Sequence, residues 1–143
     1  MIAVKDVELP RRARKGDAGY DFVLPEDVTF KESGKRPHKV TIDTGIMMED
    51  GDIPEGHVML LFPRSSLGTQ YGLQFLNTVG VIDSGYRDTI KATMCVTDPT
   101  LDILRLKKGT RFMQGVIVAF ATIPGEERPT EERTGGYGST GLR

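Results

Sequence analysis

The sequence has very few of the residues that build covalently cross-linked or metal-held frameworks, with one cysteine and two histidines among 143 residues. A single cysteine excludes an internal disulfide framework and is typical of proteins in the reducing cytoplasm. Cys95 lies in an apolar stretch, where we expect it to be a core residue. His38 and His57 do not have the spacing of a zinc site, so no zinc is predicted.

The chain also lacks an excess of charge of one sign and a long apolar run. Its net charge is −1 at pH 7 and its isoelectric point is near 6.1, which provides no electrostatic basis for binding nucleic acid or a membrane surface. No apolar run approaches the roughly 18 residues of a membrane-spanning helix, and the first residues do not resemble a secretory signal. We therefore expect a cytoplasmic protein without nucleic-acid or membrane partners.

Helical periodicity is a further absence. Seventeen glycines and eight prolines divide the chain into short segments, and only residues 65–68 suggest a helical turn. The predicted strands are 2–7, 28–30, 39–47, 58–62, 78–82, 89–96, 103–106 and 115–121. Many short strands between turn residues predict an all-β sandwich or barrel, and the polar residues 30–39 are predicted to form an exposed loop.

The composition changes near the C-terminus. From Pro124 the chain continues as Gly-Glu-Glu-Arg-Pro-Thr-Glu-Glu-Arg, which contains too few apolar residues to form a core. We predict one domain, with a β-barrel core over residues 1–123 and a flexible arm over residues 124–143.

Residues 80–87 form the most informative motif and read Gly-Val-Ile-Asp-Ser-Gly-Tyr-Arg. The β-branched pair favours a strand, Ser-Gly favours a turn, and residues 89–96 favour a second strand. The pattern predicts a β-hairpin with Asp83 beside an exposed Tyr86 ring at its end. A carboxylate beside a ring is suited to chemistry, although an aspartate at the start of a turn also commonly bonds to the backbone.

Two shorter motifs have a functional and a structural interpretation. Arg64, Ser65 and Ser66 follow an apolar strand and could bind a phosphate through the guanidinium, the hydroxyls and free N–H groups; alternatively, Ser65 caps a helix beside a solvated arginine. Asp21, within residues 17–22, could contact a water molecule of a metal shell, or could be a turn acid.

Two further motifs lie toward the end of the chain. Gln114, among apolar residues, could point at a ligand or lie on the outer face of an edge strand. Residues 133–141 contain four glycines whose N–H groups could converge on an anion, with added hydroxyls, one arginine and a tyrosine ring able to cover a nucleobase. A disordered tail is the alternative, and the lysine of a Walker P-loop is absent.

In this order, the five segments resemble the five motifs of the trimeric dUTP pyrophosphatases (dUTPases). The matching residues are 17–22, 63–68, 77–87, 110–118 and 133–141. The resemblance implies a distorted jelly-roll protomer that forms a homotrimer, in which the arm of one chain closes over a site built by the others. The implied reaction is hydrolysis of dUTP to dUMP and pyrophosphate with Mg²⁺ on the triphosphate, which keeps uracil out of DNA and supplies dUMP.

The resemblance also implies a role for each site residue. Asp83 would orient and deprotonate the water that attacks the α-phosphorus. The groups implied to contact the uracil and the deoxyribose are the backbone of Gly80 and Val81, the amide of Asn77 and the rings of Tyr86 and Tyr137. The groups implied to contact the phosphates are Arg64, Ser65, Ser66, Arg133, Ser139 and Thr140. Gln114 matches the glutamine of the fourth motif and Gly138 belongs to the fifth motif, and both are implied to bind the substrate. Asp21 would contact the Mg²⁺ shell through water or support the site.

Three positions depart from the family pattern. The fifth motif is one residue shorter between Arg133 and Gly136 than the common form. Tyr137 replaces the usual phenylalanine and keeps a stacking face. Asp88 replaces the usual glycine after Tyr-Arg. Its carboxylate would repel that of Asp83 if it pointed toward it, and we expect it to point outward.

Three alternatives differ in class. A dCTP deaminase shares the fold and the Ile-Asp-x-Gly motif but uses a glutamate in the following strand, and residues 89–94 contain none. A regulatory protein of the same fold would bind dUTP and signal to a protein partner, for which residues 30–39 are the expected surface. A nucleic-acid-binding β-barrel would require a basic face with exposed aromatic residues, which the composition does not favour.

Overall fold

Twelve strands and one short helix make up the part of the chain that this computed structural model describes, namely residues 1–33, 36–37 and 39–127. The strands are β1 (Ile2–Ala3), β2 (Tyr20–Val23), β3 (Val28–Ser33), β4 (Arg36–Pro37), β5 (Lys39–Asp43), β6 (Ile46–Met47), β7 (His57–Pro63), β8 (Leu73–Phe75), β9 (Gly80–Asp83), β10 (Lys91–Val96), β11 (Ile103–Leu106) and β12 (Arg111–Ala119), and the helix is α1 (Ser65–Tyr71). The predicted all-β class is confirmed. No helix in these ranges is long and apolar enough to span a membrane.

The strands form four antiparallel sheets around one hydrophobic core. Their strand orders are β1-β6, β5-β10-β8, β11-β3-β4 and β2-β12-β7-β9. In the four-stranded sheet, Met59 and Leu61 of β7 point into the core, whereas Leu60 between them is half-buried on the other face. The apolar run of β7 is therefore a strand with one fully buried face and one face that a single copy of the chain leaves partly uncovered.

The hairpin predicted at residues 80–87 is wrong. A turn does form, because the Tyr86 N–H donates to the Asp83 carbonyl at 3.0 Å. However, β9 pairs with β7 whereas β10 pairs with β5 and β8, so residues 86–90 carry the chain from one sheet to another. Both strands bury apolar side chains in the same core, and the local pattern does not encode which strand each one pairs with.

Two other segments differ from their predictions. The single strand predicted at 39–47 is two strands, because the chain turns at Gly45, which has a φ of +70°. The buried Thr44 stabilises this turn, since its hydroxyl donates to the Ile90 carbonyl at 2.8 Å. The loop predicted at 30–39 is instead occupied largely by β3 and β4, which pair with each other.

Gly115 offers a test of how tightly the core is packed against β12. A Cβ at this position would lie 2.7 Å from the Met59 sulfur and 3.2 Å from a Phe22 ring carbon. We expect Gly115→Ala to lower the free energy of unfolding by about 1–3 kcal/mol through overpacking, as measured by urea denaturation. The matched control is Gly68→Ala in α1, where the nearest atom is 3.5 Å away; a gain of up to about 1 kcal/mol is expected there. Equal effects at both positions would contradict the packing explanation.

Candidate active site

The junction between β7 and α1 brings a cation and two hydroxyls together. Arg64 is the N-cap residue, in an extended conformation (φ −67°, ψ 132°), and its carbonyl accepts hydrogen bonds from the N–H groups of Leu67 and Gly68 at 3.1 and 3.0 Å. Ser65 and Ser66 are the first two helical residues and are exposed. The alternative in which Ser65 caps the helix is therefore wrong. The N–H groups of Ser65 and Ser66, the first two of the helix, have no intrahelical acceptor, so this junction can donate hydrogen bonds to an anion.

A buried carboxylate fixes the orientation of Arg64. Asp21 is only 6% exposed, and its two oxygens accept separately from Nη1 of Arg64 and, at 3.2 Å, from Nη1 of Arg111. Two guanidinium groups on one carboxylate leave one net positive charge. The network therefore holds a net positive charge in a fixed orientation at the start of α1, because hydrogen bonds between ionised groups are strong and directional.

Sequence reasoning did not identify Arg111 as part of the site. Asp21 is on β2 and Arg111 is on β12, and these two strands pair with each other. Their register places Arg111 opposite Val23, with an irregularity before Met113. Two arginines that share one distant aspartate have no local sequence signal. The contact between Arg111 and Asp21 could have been predicted only by knowing that β2 pairs with β12.

A cavity of about 270 Å³ opens beside this network. Its lining residues are Asp17, Ala18, Gly19, Asp21, Phe62, Arg64, Gln114 and Val116. A Cβ at Gly19 would overlap the Gln114 side-chain oxygen, so a larger residue there would displace the Gln114 amide. Within the described part of the chain the Gln114 amide makes no hydrogen bond, so it is available to a ligand. Segments 17–22, 63–68 and 110–118 thus meet at one place.

Asp83 lies apart from this cavity. It is exposed at the end of β9, opposite Val58, whereas Arg64 follows the other end of β7. The Val81 side chain, 58% exposed, points to the same outer face. Gly80 pairs with Leu61 so closely that a Cβ would lie 3.1 Å from Leu61 Cβ. The segment with Asp83 and the segment with Arg64 therefore do not form one site within a single copy.

The remaining residues of the third motif differ in exposure. Asn77 is exposed, and within the described ranges its side-chain amide makes no hydrogen bond. Tyr86 was expected to have an exposed ring, which is wrong: its side chain is 3% exposed, and its hydroxyl donates to the Thr89 carbonyl at 3.0 Å. The ring packs into the core because the chain passes between sheets here instead of forming a hairpin. A contact between Tyr86 and a sugar stays a prediction.

The charge of Asp88 is paired. Its carboxylate accepts from the Lys91 ammonium at 3.0 Å and from the Thr89 N–H at 2.7 Å. These bonds, with Lys91 the stronger influence, hold the pKa of Asp88 below its ordinary value.

The arm residues Arg133, Tyr137, Gly138, Ser139 and Thr140 lie outside the described residues, and their roles stay predictions.

The Asp21 network has a testable energetic consequence. Asp21→Asn keeps the shape but leaves two guanidinium groups without a counter-charge, so we expect a loss of about 2–4 kcal/mol in the free energy of unfolding, less than for a fully buried pair because Arg111 is half exposed. Denaturant unfolding measures this. Asp6→Asn, which removes only the pair between the fully exposed Asp6 and the half-exposed Lys108, is the control and should change stability very little. Equal losses would show that the network does not stabilise the fold.

Comparison with known proteins finds relatives that match nearly the whole chain. The sequence matches the family model described as dUTPase over residues 5–141. It is 37% identical, over 141 residues, to the deoxyuridine 5'-triphosphate nucleotidohydrolase of Thermobifida fusca (strain YX), which covers 95% of this chain and 74% of the relative. The protein of the same name from Corynebacterium diphtheriae is 35% identical over 150 residues, covering 99% of this chain and 93% of the relative.

Solved structures extend the similarity to the fold. A variant of the dUTPase from phage 80alpha superposes with a TM-score of 0.73 at 26% identity, covering 91% of this chain and 94% of that chain. The 80alpha dUTPase with dUpNHpp bound has a TM-score of 0.70 at 26% identity, covering 99% and 96%. The predicted jelly-roll fold is thereby confirmed. The chain therefore belongs to the dUTPase family, the deoxyuridine triphosphate nucleotidohydrolases.

Proposed function

We propose that the chain hydrolyses dUTP to dUMP and pyrophosphate at a site shared between copies in a homotrimer. In this proposal Asp83 of one copy meets the Arg64 cavity of another. The observation that carries the proposal is the placement of these two groups at opposite ends of β7.

The length of β7 supports a shared site. Asp83 pairs with Val58, and from there to Arg64 the extended strand covers about 20 Å. A general base must lie within hydrogen-bond reach of the attacking water, and neighbouring phosphates in one nucleotide are much closer together than this distance. One copy therefore cannot supply both the base at the α-phosphorus and Arg64 at the β- and γ-phosphates of the same nucleotide.

The outer face of the four-stranded sheet, between the two ends of β7, supports contact between copies. The outer side of the four-stranded sheet carries apolar residues that are only half-buried, namely Val58, Leu60, Phe62, Val116 and Val118, together with the exposed Val81. Covering this face with a second copy would remove apolar surface from water. A closed ring of three copies would have a mass of about 47 kDa from protomers of 15.8 kDa, which sedimentation equilibrium measures.

In the proposed reaction each group acts by position or charge. Asp83 orients a water molecule and takes its proton as the water attacks the α-phosphorus. Arg64, the Ser65 and Ser66 hydroxyls and Gln114 bind the phosphates, where positioning and charge neutralisation supply most of the catalysis. The backbone at Gly80 and Val81 reads the uracil edge. The amide of Asn77 contributes to that reading, and the arm residues complete the site.

Mg²⁺ fits this set of residues as an ion that arrives with the triphosphate. Among the described residues no three histidine, cysteine or carboxylate groups converge, and both oxygens of Asp21 already accept from arginines. Mg²⁺ keeps several waters and is commonly held through substrate phosphates. Asp21 would contact a water of its shell through the lone pairs that the arginines leave. When bound, the ion neutralises charge on the phosphates.

A nucleotide panel tests the proposed reaction. The purified protein with Mg²⁺ is expected to release pyrophosphate from dUTP, and not from UTP, dTTP or dCTP. Release of ammonia from dCTP would instead support the deaminase alternative. Binding of dUTP without turnover would support a regulatory role with a protein partner.

The buried free Cys95 is compatible with the cytoplasmic location that we expect.

A further inference from the structure

We infer that Thr78 is a positioning residue that holds the uracil-reading segment, residues 77–81, in one conformation through a strained backbone turn. The inference deepens the function proposed above and rests on it. Nothing in the resemblance to the dUTPase motifs assigns a role to this residue.

The backbone at Thr78 is unusual. Its φ is +66°, and among the described residues every other positive φ belongs to a glycine. The Val79 N–H donates to the Asn77 carbonyl at 2.7 Å, which closes a three-residue turn with Thr78 at its centre. This is the positive-φ form of the γ-turn, which is rare and strained. A β-branched residue in that region is a clear outlier, because its Cβ crowds the neighbouring carbonyl.

The chain on both sides of the turn keeps it in place. On one side, the Thr78 N–H donates to the Phe75 carbonyl at 3.3 Å, and the buried Phe75 pairs with Met94 in the β5-β10-β8 sheet. On the other side, Gly80 pairs with Leu61 in the four-stranded sheet. The two ends of the turn are therefore fixed by pairing in two different sheets. Strained conformations persist only where the surroundings determine them in this way, and they concentrate at functional sites.

The side chain of Thr78 provides no stabilising contact that would explain its presence. It is exposed, and within the described part of the chain its hydroxyl makes no hydrogen bond. A glycine would adopt the same φ without steric cost. Threonine differs from glycine in allowing only a narrow range of φ and ψ at this position, so it limits how far the two peptide planes beside it can rotate.

Those peptide planes belong to the segment that would read the base. The turn sets the direction of the Asn77 side chain before it, and of the backbone of Val79, Gly80 and Val81 after it. A segment already held in its bound conformation avoids the entropy cost of being ordered by the ligand. Thr78 thus raises affinity for the uracil nucleotide without touching it.

The test compares Thr78→Gly with Thr78→Val. Thr78→Gly is expected to raise the dissociation constant for dUMP about fivefold, because several backbone conformers then have to be ordered on binding. It should also raise KM for dUTP with little change in kcat, and speed amide exchange at Val79 in the nucleotide-free protein. Thr78→Val keeps the β-branched shape and should match the unsubstituted protein in all of these measurements.

The outcomes separate the inference from the proposed function. Unchanged dUMP affinity in Thr78→Gly would overturn the inference, whatever the exchange rate. A loss as large in Thr78→Val would also overturn it, because the hydroxyl would then be the contact. If the unsubstituted protein binds dUMP but does not hydrolyse dUTP, the proposed function fails, and the dUMP comparison still decides the role of Thr78. If it binds no dUMP, the inference fails, and pyrophosphate release from dUTP alone decides the proposed function.

Discussion

Replacing Asp83 by asparagine is expected to lower kcat for dUTP hydrolysis by about 10²- to 10⁴-fold, the usual contribution of a general base. Asparagine has the same size and can still hold a water molecule, but it cannot accept a proton from that water. Asp83 is exposed at the end of β9, so the free energy of unfolding should change very little. Pyrophosphate release and urea denaturation of the same preparation measure the two quantities.

The matched control is Asp88→Asn. This carboxylate lies five residues after Asp83, in the connection between β9 and β10, and its charge is paired with Lys91. We expect its turnover to stay near that of the unsubstituted protein. If Asp83→Asn kept more than a tenth of the activity, or if both variants lost activity equally, Asp83 would not be the base.

Mixing two inactive variants is expected to restore activity. Asp83→Asn lacks the base, and Arg64→Gln lacks the phosphate-binding charge while keeping a donor for Asp21. When the two are unfolded and refolded together, about a quarter of the sites in randomly mixed trimers would combine an intact Asp83 from one copy with an intact Arg64 from another. Pyrophosphate release measures the recovery, and native mass spectrometry shows whether mixed trimers have formed.

A second mixture makes this result specific. The double variant, refolded with an equal amount of unsubstituted protein, should keep about a quarter of full activity if sites are shared, and about half if each site lies within one chain. Mixed trimers of the two single variants that show no activity would place Asp83 and Arg64 in the same chain's site. The shared site proposed above would then be wrong.

Much of the fold follows from local sequence. The apolar run of β7 and the boundaries of β11 reflect strand-forming residues between turn residues, which a pattern can identify. The partner of each strand depends on contacts far along the chain, and for that reason the hairpin at residues 80–87 was predicted wrongly. The burial of Tyr86 was missed for the same reason, since the direction of its ring depends on which sheet the chain enters next.

Prediction of the site shows the same division. The cavity is lined by Arg64, whose place before two serines indicated phosphate binding, and by Gln114, whose place among apolar residues indicated contact with a ligand. The bond from Arg111 to Asp21 was not predictable, because it requires the register between β2 and β12. The conformation of Thr78 runs against its own preference, since β-branched residues disfavour positive φ. Tertiary structure therefore imposes the features that local propensity opposes.

The length of β7 has an evolutionary consequence. In the proposed trimer this strand acts as a spacer between two half-sites that belong to different neighbours, and symmetry repeats any change in it three times. Inserting one residue would exchange its core and outer faces, and inserting two would displace one half-site by about 7 Å. Insertions and deletions among descendants of this chain should therefore spare β7 and accumulate in connections such as residues 97–102, which join β10 to β11.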